Sequence, residues 1–282
     1  MIFSNRGAHR MKLGIVCIPR PLDGVATIDR FVETGRKVEE LGFSGLWVTD
    51  AFGRGSPTID PLVLLGTLCG VTKTIELGTC VVQIPLRHPV EHAHRVQSLH
   101  MLSGGRLRFG VGSGSTKHDF DAVQADFSAR FKTLTSSLDV MQRSWAGEGV
   151  FGPALTNWPD TQGGPPVLLG AWRSQRWINL AAGKLQGWIA SGIYSEPEDL
   201  AIGTKMFRAA GGKRSVLANI FTDFRGDDAP NNRAATNKIT LYCTPAEARE
   251  RLKRIADLGF DDALLVVPFD APDQLGRMRD LM

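Results

Sequence analysis

Three alternating glycines close an apolar run in Arg106-Leu-Arg-Phe-Gly-Val-Gly-Ser-Gly-Ser115, and Thr116-Lys117-His118-Asp119 follows at once. Glycine permits both close approach and unusual dihedrals, so Gly112, Ser113, Gly114 and Ser115 read as a strand end where a ligand meets the backbone. His118 is the nearest group to that loop whose ordinary pKa lies near neutrality. With an ordinary pKa near ~6.5 it suits acid–base work, and a loop histidine touching only water is the plainer alternative. A second strand end, Gly170-Ala171-Trp172-Arg173-Ser174, runs into a helix. Backbone N–H groups at a helix start attract anions, so this corner suits a phosphate, with Ser174 or Arg173 as a direct contact. The alternative there is a simple N-cap. Asp50 is the one carboxylate squarely on a strand end.

Other chemistries find little support. Paired glycosidase carboxylates would need acids on facing strand ends. His88, His92 and His94 invite a metal reading, but Pro89 opens a helix after the first, and the other two point to different faces of it. Gly112-Ser-Gly-Ser does not form a Gly-x-Ser-x-Gly nucleophile elbow. A dinucleotide fingerprint fails because its last glycine would fall on Ser115. The 33 basic and 29 acidic residues give a net charge of +4 without a concentrated basic run, which disfavours nucleic acid. Cys17, Cys69, Cys80 and Cys243 lack zinc-ligand spacing and read as reduced thiols of a cytoplasmic protein. No run of about 18 apolar residues suggests a membrane span.

The elements that must position these residues alternate regularly. Short apolar runs at 12–18, 45–50, 75–82, 106–111, 167–170, 187–191, 216–222 and 262–268 read as strands. Segments at 27–41, 60–68, 89–102, 129–145, 174–182, 197–210, 244–258 and 273–282 read as helices. Thr244-Pro-Ala-Glu247 is a capping-box start with proline in the first turn. Strands without internal alternation are those covered by helices, so the expected fold is a (β/α)8 TIM barrel. It carries a long loop after the fourth helix (147–166) and another after the seventh strand. A doubly wound open sheet is the competing arrangement. Residues 1–10 read as a loose extension before a single domain over 11–282.

Ile75-Glu-Leu-Gly-Thr79, Pro85-Leu-Arg-His-Pro89, Leu102-Ser-Gly-Gly-Arg106 and Gly110-Val-Gly112 together resemble the luciferase-like flavin-dependent monooxygenases. Gly164-Pro-Pro-Val-Leu-Leu-Gly-Ala171, Gly187-Trp188 and the closing Thr244 to Leu265 fit the same order. The resemblance implies reduced FMN with O2, a small organic substrate and a separate flavin reductase, or alternatively hydride transfer with coenzyme F420. A ligand-binding barrel without catalysis is a third reading. The resemblance also implies a non-proline cis peptide at Cys80–Val81 against the flavin ring, with Gly112 to Ser115 beside the ring. Gly170, Ala171, Ser174, Ser191 and Gly192 then hold the phosphate. Asp50 matches an acidic strand end that the family usually follows with His; Ala51 stands here instead. Ser115 stands where deazaflavin-dependent sugar-phosphate dehydrogenases place Glu. Phe52, Trp172 and Phe269 are wall candidates, and family members often form homodimers.

Overall fold

The computed structural model describes residues 10–18, 28–52, 54–55, 57–225, 239–267 and 273–281. Residues 1–9 of the expected extension, residue 27 at the start of the first expected helix and Phe269 lie outside them. In chain order the elements begin β1 Lys12–Cys17, α1 Ile28–Glu40, β2 Gly45–Val48, α2 Pro61–Val71, β3 Glu76–Thr79 and β4 Val82–Gln83. Then come α3 Pro89–Leu102, β5 Leu107–Gly112, α4 Lys117–Ala122, α5 Arg130–Trp145, β6 Val167–Gly170, α6 Gln175–Lys184 and β7 Gly187–Ser191. The last are α7 Pro197–Ala209, β8 Arg214–Asp223, β9 Thr240–Tyr242, α8 Pro245–Asp257, β10 Asp262–Val266 and α9 Gln274–Arg279.

Local chemistry explains many boundaries. Asp60 caps α2 by accepting from the N–H groups of Leu62 and Val63. Thr244 and Glu247 form the expected capping box. Gly42 stops α1 at φ +80°, where other residues are strained. Arg106 gathers the carbonyls of Cys69, Thr72, Ile75 and Ser103, so one guanidinium ties the end of α2 to the start of β5.

The strands are parallel, and β10 pairs with both β1 and β8. That closure makes a (β/α)8 barrel and excludes the open sheet. The expected continuous strand over 75–82 is two pieces, because a cis Cys80–Val81 bond separates β3 from β4. Two elements carried no usable sequence pattern. Helix α4 has six residues, too few to show periodicity, and β9 has three residues and pairs with the outer end of β8.

The core has two layers. One set of apolar side chains packs between strands and helices; a smaller set, including Val16, Trp47, Cys80, Leu168 and Leu264, fills the barrel. Trp47 fits there because a Cβ on Gly78 would lie 2.1 Å from its ring. At the amino ends of the strands Arg214 crosses to Glu76 (2.6 Å) and Asp262 (2.8 Å), and Arg108 adds a contact to Glu76 (2.8 Å). Burial works to raise the Glu76 carboxyl, but Arg214 and Arg108 bring it below its ordinary value. Among the described residues no helix is long and apolar enough to cross a membrane.

Candidate functional site

At the carboxyl ends of the strands, Val81 stands half-buried on the barrel's inner layer. A Cβ on Gly112 would lie 2.7 Å from Val81 Cγ2, and one on Gly170 would lie 2.8 Å from Val81 Cγ1. Real Cβ atoms do not approach so closely, so two strands are glycine where they cradle one side chain. The glycines make room for Val81, whereas the sequence alone suggests room for a ligand. Val81 itself is the apolar surface presented at the mouth. Burial raises the neighbouring Cys80 thiol, which keeps it protonated.

Two buried carboxylates flank this ledge, and each has an arginine. Asp50, 8% exposed, accepts from Arg87 at 2.7 and 3.0 Å and from the backbone N–H of Gln83 at 2.9 Å. Asp119, fully buried, accepts from Arg54 Nε at 3.0 Å, Arg54 Nη2 at 2.5 Å and the Phe52 N–H at 3.2 Å. The side-chain amide of Gln83 joins the two clusters by donating to Asp119 at 2.9 Å. Both Asp50 oxygens are thus engaged, one by Arg87 Nη2 and the other by Arg87 Nη1 and the Gln83 N–H, which ties the β2 end to the segment after β4. Burial works against the Arg87 charge, but Asp50 and Asp60 raise it further. Gln83 Oε1 is buried without a hydrogen-bond partner. Arg54, Gln83, Arg87 and Asp119 are absent from the sequence-derived set of site residues; they lie 33 to 67 positions from their partners, so no local spacing joins them.

The corner after β6, where a phosphate is expected, has the following hydrogen bonds. Ser174 occupies the N-cap of α6 in extended backbone, and its hydroxyl makes no capping bond. The first N–H groups of α6 are therefore left without a side-chain partner. The Ala171 N–H donates to Ile189 O (3.2 Å) and the Gly192 N–H to Ala218 O (2.8 Å), so neither amide is free for an anion. The Ser191 hydroxyl accepts from the Ile193 N–H and from Asn219. Arg173 pairs with Asp199 at 2.5 Å.

His118 is exposed on the first turn of α4. His88 sits at the N-cap of α3, His94 is exposed and His92 is buried, so these three do not converge. Phe52 and Trp172 are 47% and 63% exposed.

The luciferase-like monooxygenase family pattern matches residues 11–220. The chain belongs to that family. It is 34% identical over 120 residues to 4-hydroxyprotoasukamycin monooxygenase of Streptomyces nodosus subsp. asukaensis, covering 42% of this chain and 32% of that one. It is 32% identical over 126 residues to an alkanal monooxygenase alpha chain of the Kryptophanaron alfredi symbiont, covering 44% and 35%. The matched stretch thus spans about a third of these curated luciferase-like relatives. The crystal structure of monooxygenase RslO1 from Streptomyces bottropensis superposes with TM-score 0.83 at 20% identity, covering 96% and 98% of the two chains. The coenzyme F420-dependent tetrahydromethanopterin reductase of Methanopyrus kandleri does so with TM-score 0.77 at 14% identity, again over 96% and 98%. At those identities the superpositions speak for the fold alone. The chain thus combines the fold with the sequence pattern of the luciferase-like monooxygenases.

Proposed function

We propose that this chain is a monooxygenase that uses reduced FMN, supplied by a separate flavin reductase, and O2 to oxidise a small organic substrate. The observation that carries the reading is the apolar Val81 ledge, fixed between Gly112 and Gly170, with the uncapped start of α6 beside it. A planar ring needs an apolar surface, and a dianionic phosphate needs clustered N–H donors. The residues present fit such a cofactor. Val81 and the 112–115 loop would hold the ring; Ser174 and the first turn of α6 would hold the phosphate.

When bound, the reduced flavin supplies two electrons, so that one oxygen atom enters the substrate and the other leaves as water. This chain's own residues do the rest. The Asp50–Arg87 and Asp119–Arg54 pairs fix the loops around Val81, and the apolar ledge keeps water from the reacting centre. Asp50 is a positioning residue here, and His118 is the proton-exchanging group.

The second reading is hydride transfer with coenzyme F420, favoured by F420-dependent neighbours of the same fold. The curated relatives at 32–34% identity are named as monooxygenases, and that supports the FMN reading. Anaerobic titration of the protein with reduced FMN and, separately, with coenzyme F420 tests it. Binding of reduced FMN followed by O2 uptake is expected. Binding of coenzyme F420 with none of reduced FMN overturns the proposal.

A further inference from the structure

Beside the barrel mouth, but on the other side of the β7 wall, the structure has a cavity of about 170 Å³ between the corner after β6 and helix α7. Its floor is Trp188, which faces α7 and packs on Phe207 and Phe260. The Trp188 indole N–H donates to Ala171 O at 2.8 Å, so the floor cannot turn. Leu200, 1% exposed, forms the apolar wall on α7. At the rim stand Trp172 and Tyr194, 63% and 61% exposed, their rings 6.1 Å apart at 55°. Large aromatic side chains left in water around a hollow mark a place that something apolar covers.

The polar atoms of the cavity narrow the occupant. Ser195 lines it, is 7% exposed, and among the described residues its hydroxyl has no hydrogen-bond partner. The hydroxyl stays accessible from the cavity, since it is not among the buried unpartnered polar atoms, and so can donate to or accept from a ligand there. The two charges at the edge, Arg173 and Asp199, compensate each other at 2.5 Å and call for no ionic partner. The size fits one ring, since an apolar hole of about 150 Å³ holds benzene.

We propose that this cavity is a binding site for a neutral single aromatic ring bearing a hydroxyl, a phenol, whose oxygen pairs with Ser195 while its ring lies among Trp172, Trp188 and Leu200. The site is separate from the Val81 ledge, because Trp188 faces outward from the barrel and Val81 inward. It does not depend on which cofactor the barrel takes.

The test uses the full chain labelled with 15N and follows its six tryptophan indole N–H signals, that of Trp188 being assigned by its loss in Trp188→Phe. Phenol should move the Trp188 signal saturably. Toluene should bind about tenfold more weakly, as one lost hydrogen bond implies. Ser195→Ala should weaken phenol about tenfold, to the level of toluene, and leave toluene unchanged. A 4-hexylphenol that binds as phenol does marks the site as one for the aryl end of a larger molecule. A 4-hexylphenol that fails, with phenol still bound, marks a free small phenol. An unsaturable response, equal affinity for phenol and toluene in the unmodified protein, or unchanged phenol affinity in Ser195→Ala overturns the proposal.

Discussion

Replacing Gly170 by alanine places a methyl 2.8 Å from Val81 Cγ1, 3.3 Å from Val81 Cγ2 and 3.3 Å from Val111 O. Carbon atoms rest about 3.5–4.0 Å apart, so the nearest contact is short by about 0.7–1.2 Å. Val81 cannot yield by turning, because a β-branched side chain has few χ1 positions. Nor can it shift toward β5, where Gly112 is equally tight. The expected cost is that of overpacking, about 1–3 kcal/mol. Removing the obstacle should remove the cost. In Val81→Ala both Cγ atoms are gone, and only the 3.3 Å contact with Val111 O remains. Urea unfolding of Gly170→Ala, Val81→Ala and the double variant should give a coupling of about 1–3 kcal/mol, the double variant being more stable than the sum of the singles predicts. Reduced-FMN titration of Gly170→Ala should show weaker binding, because the displaced Val81 can move only toward the mouth. Costs that add to within about 0.5 kcal/mol would refute the view that Gly170 is glycine on account of Val81.

Four further outcomes follow from the same geometry. Arg87→Met leaves the buried Asp50 uncompensated and should lower stability by about 3–5 kcal/mol in chemical denaturation, with Arg87→Lys restoring only part because its ammonium is not bidentate. Arg214→Met should cost a similar amount, about 3–5 kcal/mol, since both Glu76 and Asp262 lose their partner, and it should leave FMN affinity unchanged because the plug lies at the opposite end of the barrel. Burial, with Arg87 adding to it, lowers His92 from 6.5 to about 3, so the unfolded chain takes up this proton first and stability should fall as the pH drops from 6.5 toward 3. The slope from this one group reaches at most about 1.4 kcal/mol per pH unit, and unfolding measurements on His92→Leu should show it gone. Ala171→Glu places a carboxylate at the corner before α6 and should weaken phosphate-bearing cofactors by tenfold or more, read by equilibrium titration, with an unchanged circular dichroism spectrum.

Much of the fold was legible because its strands are short, apolar and separated by helices with strong ends. Asp60-Pro61 and Thr244-Pro-Ala-Glu247 each show a cap and a first-turn proline within four residues, and both helices start there. Helix α4 was not legible, since Lys117 to Ala122 is too brief for a period to repeat. Of the site, Asp50 was visible as a strand-end carboxylate, but its pairing was not. Its partner Arg87 lies 37 residues away, and only the closed barrel brings the two to 2.7 Å. The resemblance places Ala171 and Gly192 at the phosphate, but their amides are committed to neighbouring strands, because ladder pairing is a property of the sheet and not of the loop.

The alternating glycines of the β5 end are explained by the strand beside them. Thr79, Val81 and Gln83 follow one another at every second position from β3 into β4, and each faces a glycine at the β5 end. A Cβ on Gly110 would lie 1.9 Å from Thr79 O, one on Gly112 2.7 Å from Val81 Cγ2, and one on Gly114 2.7 Å from Gln83 Oε1. Gly114 is doubly fixed, since its φ of +80° also disfavours any side chain. The orientation of Gln83 is itself determined. Asp119 only accepts, so the amide nitrogen must face it and the oxygen must face Gly114. Every second residue of one strand end is therefore glycine because every second residue of its neighbour leans over it. The glycines thus let the neighbouring segment close over the β5 end, leaving Val81 as the half-buried apolar side chain there, while Gln83 Oε1 stays buried against Gly114.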